Sequence, residues 1–281
     1  MDGIRLRDEM VVALRERIEA AGSPRICLAT VLVGEDPPSQ RYVRMKHVQA
    51  EKAGMVSHGD VLPATASQAQ VEDTVAALVA DPGVHGILVQ SPIPDGLDFD
   101  AVLRLVPPEK DVDGLTEVSL GRLVRAQPGL VGCTPLGVLR LLERYGVATS
   151  GTRAVIIGRS TLVGLPLSLL LAQKGIDATV TIAHSRTPAD ELLDLCRKSD
   201  IVVGAAGQAR MITADHVRPG AAVVDVGVSR TEAGVVGDVD FEAVQAVAGA
   251  ITPMPGGTGP MTVACLLENT VTAARLQGVA I

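Results

Sequence analysis

Residues 153–166 read RAVIIG, then RSTLVG, then LP. The run up to Gly158 is short and apolar and ends on a turn-forming glycine, the pattern of a buried strand. Pro166 can stand in a helix only within the first turn. A strand, a tight turn and a helix must therefore follow one another here. Such units repeat by right-handed crossovers between parallel strands, so the chain is confined to an α/β fold.

The rest of the chain repeats this plan. Helical periodicity predicts helices over 8–21, 39–53, 67–80, 135–145, 164–174, 188–199 and 262–276. Short apolar runs predict strands over 26–33, 86–90, 154–157, 179–183, 201–204 and 222–226. A small polar run at 149–152 marks the best break. We expect two domains, each with a mainly parallel sheet flanked by helices. Residues 1–148 form one, completed by a returning C-terminal helix (262–281). Residues 149–261 form the other, of Rossmann type. The cleft between two such halves is the expected ligand site. With two Tyr, two Phe and no Trp, the cores must be built from Ala, Val, Leu and Ile.

The formal net charge of −7 argues against a nucleic-acid binder, which would carry a basic stripe. Cys27, Cys133, Cys196 and Cys265 include no Cys-x-x-Cys pair and sit beside apolar residues, so buried free thiols in a reducing compartment are expected. His47, His58, His85, His184 and His216 are scattered without metal-ligand spacing. The N-terminal MDGIRLRDEM has no apolar core of a signal peptide. No run approaches the roughly 20 apolar residues that span a bilayer. The expectation is a cytoplasmic protein with no metal and no membrane partner.

In the 153–166 unit, Gly158 allows the tight turn and Gly164 lets the helix pack closely on the strand. The helix start then offers free N–H groups to a pyrophosphate. Ser160 replaces the middle glycine of G-x-G-x-x-G, so the pattern alone also fits a plain βα turn. The next strand ends in His184-Ser185-Arg186-Thr187. A site specific for NAD would place an Asp or Glu there. Ser185 and Arg186 suit a 2′-phosphate, and Arg159 adds a second cation. Alone, Arg186 also has the bland reading of a solvated surface residue. The unit points to NADP.

The first half holds polar residues in unusual places. Asp36-Pro37-Pro38-Ser39 starts a helix in which Tyr42 and Lys46 share a face. The strand 86–90 ends in Gln90, followed by Ser91. The charged turn 107–114 carries Asp113. Each has an ordinary reading as an amphipathic face, a strand end or a structural turn.

Together these segments resemble the bifunctional methylenetetrahydrofolate dehydrogenase/cyclohydrolase family. The matching pieces are SQRYVRMK (39–46), GILVQSPIP (86–94), PPEKDVDG (107–114), GCTPLG (132–137), GRSTLVGLP (158–166), AVVDVGVSR (222–230), VVGDVDF (235–241) and ITPMPGGTGPMTVACLLENT (251–270). The resemblance implies a homodimeric, NADP-dependent enzyme of one-carbon metabolism, serving purine biosynthesis. It implies oxidation of 5,10-methylenetetrahydrofolate to the methenyl form and hydrolysis of that to 10-formyltetrahydrofolate. Lys46 matches the family's catalytic lysine, Tyr42 the residue stacked on the folate ring, Gln90 the amide bonded to the lysine, and Asp113 the pterin anchor. Val89, Ser91, Pro255, Gly256, Gly257, Gly259 and Pro260 match the substrate lining. Gly158, Arg159, Ser160, Ser185 and Val228 match cofactor contacts. Ser91, Thr258 and Ser229 depart from the residues usual in the family, Leu, Val and Asn.

The hydrolysis needs a group that takes a proton from water and returns one to a ring nitrogen. An ordinary lysine, with a pKa of about 10.4, is too basic for this near neutrality unless burial lowers it. We therefore expect neutral Gln90, rather than Asp113, to touch Lys46. Two other readings compete: a shikimate-dehydrogenase-like oxidoreductase, and a non-catalytic NADP-sensing protein. The first would carry a Gly-Ala-Gly-Gly turn where this chain has Gly158-Arg159-Ser160. The second would have no use for Tyr42, Lys46, Gln90 and Asp113.

Overall fold

Strand β1 (Cys27–Val33) is buried along its whole length, so it must be paired on both edges and covered on both faces. In the computed structural model, which describes residues 1–232 and 234–281, this is the case. The chain divides into two compact units. The first comprises residues 8–133 and 263–281, and the second residues 1–7 and 134–262.

In the first unit, β1 lies between β2 (Val56–Leu62) and β3 (Gly86–Val89), all parallel. The crossovers run through α2 (Pro37–Lys52) and α3 (Gln68–Ala80). Alternate residues Cys27, Ala29, Val31 and Val33 pack with Val71, Val75 and Leu78 of α3, the two-residue repeat of a strand meeting a helix face. On the other face, buried Thr30 hydrogen-bonds His47 of α2 at 2.9 Å. Short helices α4 (Phe99–Leu103) and α5 (Glu117–Val124) follow β3. Helix α1 (Gly3–Ala20) enters this unit at residue 8.

The second unit is a five-stranded parallel sheet. Its strands are β4 (Arg153–Ile157), β5 (Thr179–Ala183), β6 (Ile201–Gly204), β7 (Ala222–Asp225) and β10 (Ala250–Ile251), in the order β10-β7-β6-β4-β5. Strands β8 (Ser229–Thr231) and β9 (Gly234–Val236) pair antiparallel beside it. Ala154 and Ile156 of β4 pack with Val138 and Leu142 of α6 (Cys133–Arg144) and with Leu167 and Leu171 of α7 (Gly164–Ala172). Val155 and Ile157 face the opposite layer, with Cys196 of α8 (Ala189–Arg197) and Val244 of α9 (Phe241–Gln245). Helix α10 (Thr258–Leu276) starts in this unit, and its residues from 263 onward belong to the first. No helix of the described residues is long and apolar enough to cross a membrane.

Several expected boundaries move. The division falls at 133/134, not 148/149, because Val138 and Leu142 of α6 bury their side chains in the second sheet's core. Helix α1 begins at Gly3 rather than 8, and α10 at Thr258 rather than 262. Strand β2 was not expected: its VSHGDVL carries polar residues on an exposed edge, the composition by which edge strands resist unwanted pairing. The four cysteines are buried and free, as expected.

Candidate active site

Strand β4 pairs with β5 on one edge and β6 on the other. The chain therefore leaves β4 on one side and later returns on the other, opening a crevice at the strands' carboxyl ends. Gly158 ends β4 with φ +139°, and a Cβ there would lie 2.2 Å from the Ala205 carbonyl oxygen. Only glycine fits. A Cβ on Gly164 would lie 2.1 Å from the Gly158 carbonyl oxygen, so the first residue of α7 also must be glycine. Ser160 Oγ accepts from Val163 N at 3.1 Å and closes the turn without the usual middle glycine. At the start of α7, Leu165 N is bonded to the Ser160 carbonyl (3.0 Å) and Leu167 N to the Val163 carbonyl (2.9 Å), and Pro166 has no N–H, so what this helix start offers a phosphate is chiefly its partial positive charge.

Arg159, Ser160, Ser185, Arg186 and Val228 are all exposed. Arg186 stands on a turn fastened by His184 N to Thr187 Oγ1 (3.0 Å) and Arg186 N to His184 Nδ1 (3.2 Å). The guanidinium groups of Arg159 and Arg186 make no ion pair among the described residues. A glycine cradle a Cβ would fill, a helix start and two free cations suit a dinucleotide carrying an extra phosphate. No cluster of metal-ligating side chains occurs among the described residues.

The first unit places the other expected residues. Asp36 accepts from Ser39 N (2.9 Å) and Ser39 Oγ (2.7 Å), and Pro37 and Pro38 occupy the first turn of α2. This fixed start orients Tyr42 and Lys46 on one face: Tyr42 is 41% exposed and Lys46 only 7%. Lys46 Nζ donates to Gln90 Oε1 at 2.9 Å, the expected contact. Gln90 follows buried Val89 at the end of β3, and its Nε2 donates to the Ser91 carbonyl at 2.6 Å. The amide is therefore locked with its oxygen toward the lysine. Ser91 contributes its backbone here, with its side chain exposed.

Burial pulls the Lys46 ammonium below the ordinary lysine range, and the charge of Asp113 opposes this. Burial raises the Asp113 carboxyl, while Lys46 pulls it back. The two form no salt bridge among the described residues. Asp113 sits on a turn held from several sides. Ile87 N donates to the Lys110 carbonyl at 2.8 Å. Lys110 Nζ donates to the Val79 and Asp81 carbonyls, and Asp111 accepts from Leu115 N and Thr116 N. Asn269 Nδ2 donates to the Val112 and Val131 carbonyls at 2.8 Å each. In the charged 107–114 run, Lys110 and Asp111 hold the turn and Asp113 alone bears on the lysine. Asn269 was not singled out from sequence; its full burial at 5% exposure could not be seen there.

The loop Pro255–Pro260 belongs to the second unit. Gly256 takes φ +109°, and its carbonyl accepts from Gly3 N (2.9 Å) and Ile4 N (3.2 Å). A Cβ on Gly3 would lie 1.8 Å from the Gly257 carbonyl oxygen. The first turn of α1 is therefore clamped on the loop, a contact the sequence did not signal. Thr258 is buried, and its Oγ donates to the Asp225 carbonyl at 2.8 Å. Ser229 Oγ donates to the Gly207 carbonyl at 3.2 Å. Both departures from the family residues make internal bonds.

A doubly covered sheet with a glycine turn at its switch point, and a buried lysine held by a neutral amide, define a nucleotide-dependent α/β enzyme class. Comparison with known proteins sharpens this. The profile for the catalytic domain of tetrahydrofolate dehydrogenase/cyclohydrolase matches residues 1–113, and that for its NAD(P)-binding domain residues 132–278. The chain belongs to this family. It is 50% identical to the bifunctional protein FolD of Methanoculleus marisnigri over 99% of this chain and 96% of that one. The FolD methylenetetrahydrofolate dehydrogenase/cyclohydrolase of Campylobacter jejuni superposes with a TM-score of 0.93 at 40% identity, covering 98% of both chains. The Trypanosoma brucei dehydrogenase-cyclohydrolase complexed with NADP and inhibitor gives 0.92 at 38% identity, covering 98% of this chain and 97% of that one. Family membership sets aside the shikimate-dehydrogenase-like and sensor readings.

Proposed function

We propose that the protein is a bifunctional enzyme of one-carbon metabolism. It oxidises 5,10-methylenetetrahydrofolate to 5,10-methenyltetrahydrofolate with NADP and hydrolyses the product to 10-formyltetrahydrofolate. The observation that carries this is the Lys46–Gln90 hydrogen bond at 2.9 Å on a buried lysine whose pKa is lowered.

NADP, when bound, accepts the hydride. Gly158, Arg159, Ser160 and the start of α7 would hold its pyrophosphate, Ser185 and Arg186 its 2′-phosphate, and Val228 its nicotinamide half. No side chain needs to act as a strong base in that step; the chain must hold the reacting carbon in line.

Hydrolysis needs a base. Water bonds to the methenyl carbon and passes a proton to the neutral Lys46 amine. The carbon–nitrogen bond then opens, Lys46 returns its proton to that ring nitrogen, and the hydroxyl proton leaves to solvent. Gln90 suits this cycle because a neutral acceptor holds both forms of the amine without fixing the ammonium. Tyr42 would stack on the folate ring, and Asp113 would anchor the pterin. Val89, Ser91, Pro255, Gly256, Gly257, Gly259 and Pro260 would line the substrate.

In this reading the first unit carries the folate chemistry and the second holds NADP. The 10-formyl product would serve purine biosynthesis in the cytoplasm, a reducing compartment in which the four buried thiols stay free. The protein would be a homodimer.

Lys46→Met is the direct test. We expect hydrolysis of methenyltetrahydrofolate to fall by at least about 100-fold, the contribution of a positioned acid–base group, with NADP affinity unchanged. Near-normal hydrolysis would remove Lys46 from the mechanism.

A further inference from the structure

The motifs AVVDVGVSR and VVGDVDF, whose two aspartates the chemistry above leaves without a task, meet at the carboxyl ends of β6 and β7. Asp238 has no exposure and Asp225 only 1%. Neither side chain forms an ion pair with a cation among the described residues. Asp238 takes three successive backbone N–H groups: Ala206 (2.6 Å) and Gly207 (3.1 Å) on Oδ2, and Gln208 (2.7 Å) on Oδ1. Asp225 takes Gly227 (3.1 Å) and Asp238 (2.9 Å) on Oδ1, and Val239 (3.0 Å) on Oδ2. The glycines around them leave room for the carboxylates alone. A Cβ on Gly227 would lie 2.0 Å from Asp238 Oδ1, and one on Gly237 1.8 Å from Asp225 Oδ2.

Successive N–H groups in a turn with a left-handed residue, here Gly207 at φ +66°, form a cradle of the kind that binds phosphate oxygens. In this chain an internal anion already fills it. The same loop carries Ala205, whose carbonyl oxygen a Cβ on Gly158 would meet at 2.2 Å, and Gly207, whose carbonyl accepts from Ser229 Oγ at 3.2 Å. The loop therefore borders both the phosphate turn and the Val228 segment.

We propose that Asp238 is a positioning residue for the nucleotide site. By filling the 206–208 cradle it sets the wall of the crevice against Gly158. It also reserves the phosphates for the turn at 158–164. This rests on the reading that the second unit holds NADP. Asp225 does the same one loop further on, ordering 227 and 238–239, so the carboxylates brace each other through the Asp238 N–H.

The position of Asp238 sets the signature of its loss. The loop supports the part of the ligand shared by NADP and NAD, whereas Arg186 concerns the 2′-phosphate alone. Three charge-assisted bonds are weakened in Asp238→Asn, which keeps the shape but turns an NH2 toward a backbone donor. We expect KM for NADP and for NAD to rise together by about tenfold or more, with their ratio unchanged. KM for methylenetetrahydrofolate, and hydrolysis of methenyltetrahydrofolate assayed without nucleotide, should stay within about twofold. Gly227→Ala, which presses on the same carboxylate, should give the same pattern and keeps the test open if the Asn variant does not accumulate. Unchanged KM for NADP in a folded variant, or an equal fall in hydrolysis and oxidation, would overturn the proposal. A wild-type protein that oxidises nothing with NADP would instead refute the functional reading beneath it.

Discussion

At the scale of single residues, the proposed chemistry depends on what stands beside Lys46. Burial lowers its pKa and the charge of Asp113 opposes the shift. In the proposed mechanism the neutral amine is the base, so hydrolysis should rise with pH through that lowered pKa, below the ordinary lysine range. Gln90→Glu would place a negative charge on Nζ and favour the ammonium. The ascending limb of the pH–rate profile should then move to higher pH, by about 1 unit or more. A profile that stays in place would mean that Gln90 does not tune the lysine. Much of this site was legible in sequence. Tyr42 and Lys46 share a face because of helical spacing, and Gln90 ends a strand where such sheets bind ligands. Thr258 and Ser229 were noticed as departures, but sequence could not say that both hydroxyls turn inward to bond carbonyls.

At the scale of elements, helix starts recur as instruments. Helix α7 presents its start at the switch point of the second sheet. Helix α1 directs its first N–H groups to the Gly256 carbonyl. Gly3→Ala would put a methyl group 1.8 Å from the Gly257 carbonyl oxygen, so the loop must shift. We expect KM for the folate substrate to rise several-fold while KM for NADP stays constant. Parallel steady-state assays would check this, and equal changes in both constants would argue for general loss of structure. Helical and buried-strand periodicity revealed most elements, because both patterns are local. Strand β2 escaped because an edge strand has little apolar face to show, and the start of α1 because its reason lies more than 250 positions away along the chain.

At the scale of the whole molecule, NADP should stabilise the fold, because its groups converge only when β4, β5, β6 and α7 are in place. With NADP at about 100 times its Kd, linkage gives about 2.7 kcal/mol, a rise in Tm of several degrees for a protein of this size. Differential scanning fluorimetry with NADP and NAD would measure it. Arg186→Ala should shrink the NADP shift toward that of NAD. By itself the sequence determined the α/β class, the alternation of elements, the Gly158 turn and the candidate residues, since these follow from local periodicity, turn chemistry and motif. Only the tertiary structure decided that α6 joins the second unit, that Asn269 and α1 hold loops far away in the chain, and that Asp225 and Asp238 bond backbone N–H groups. Burial and pairing join residues far apart in the chain, and no local pattern carries that information.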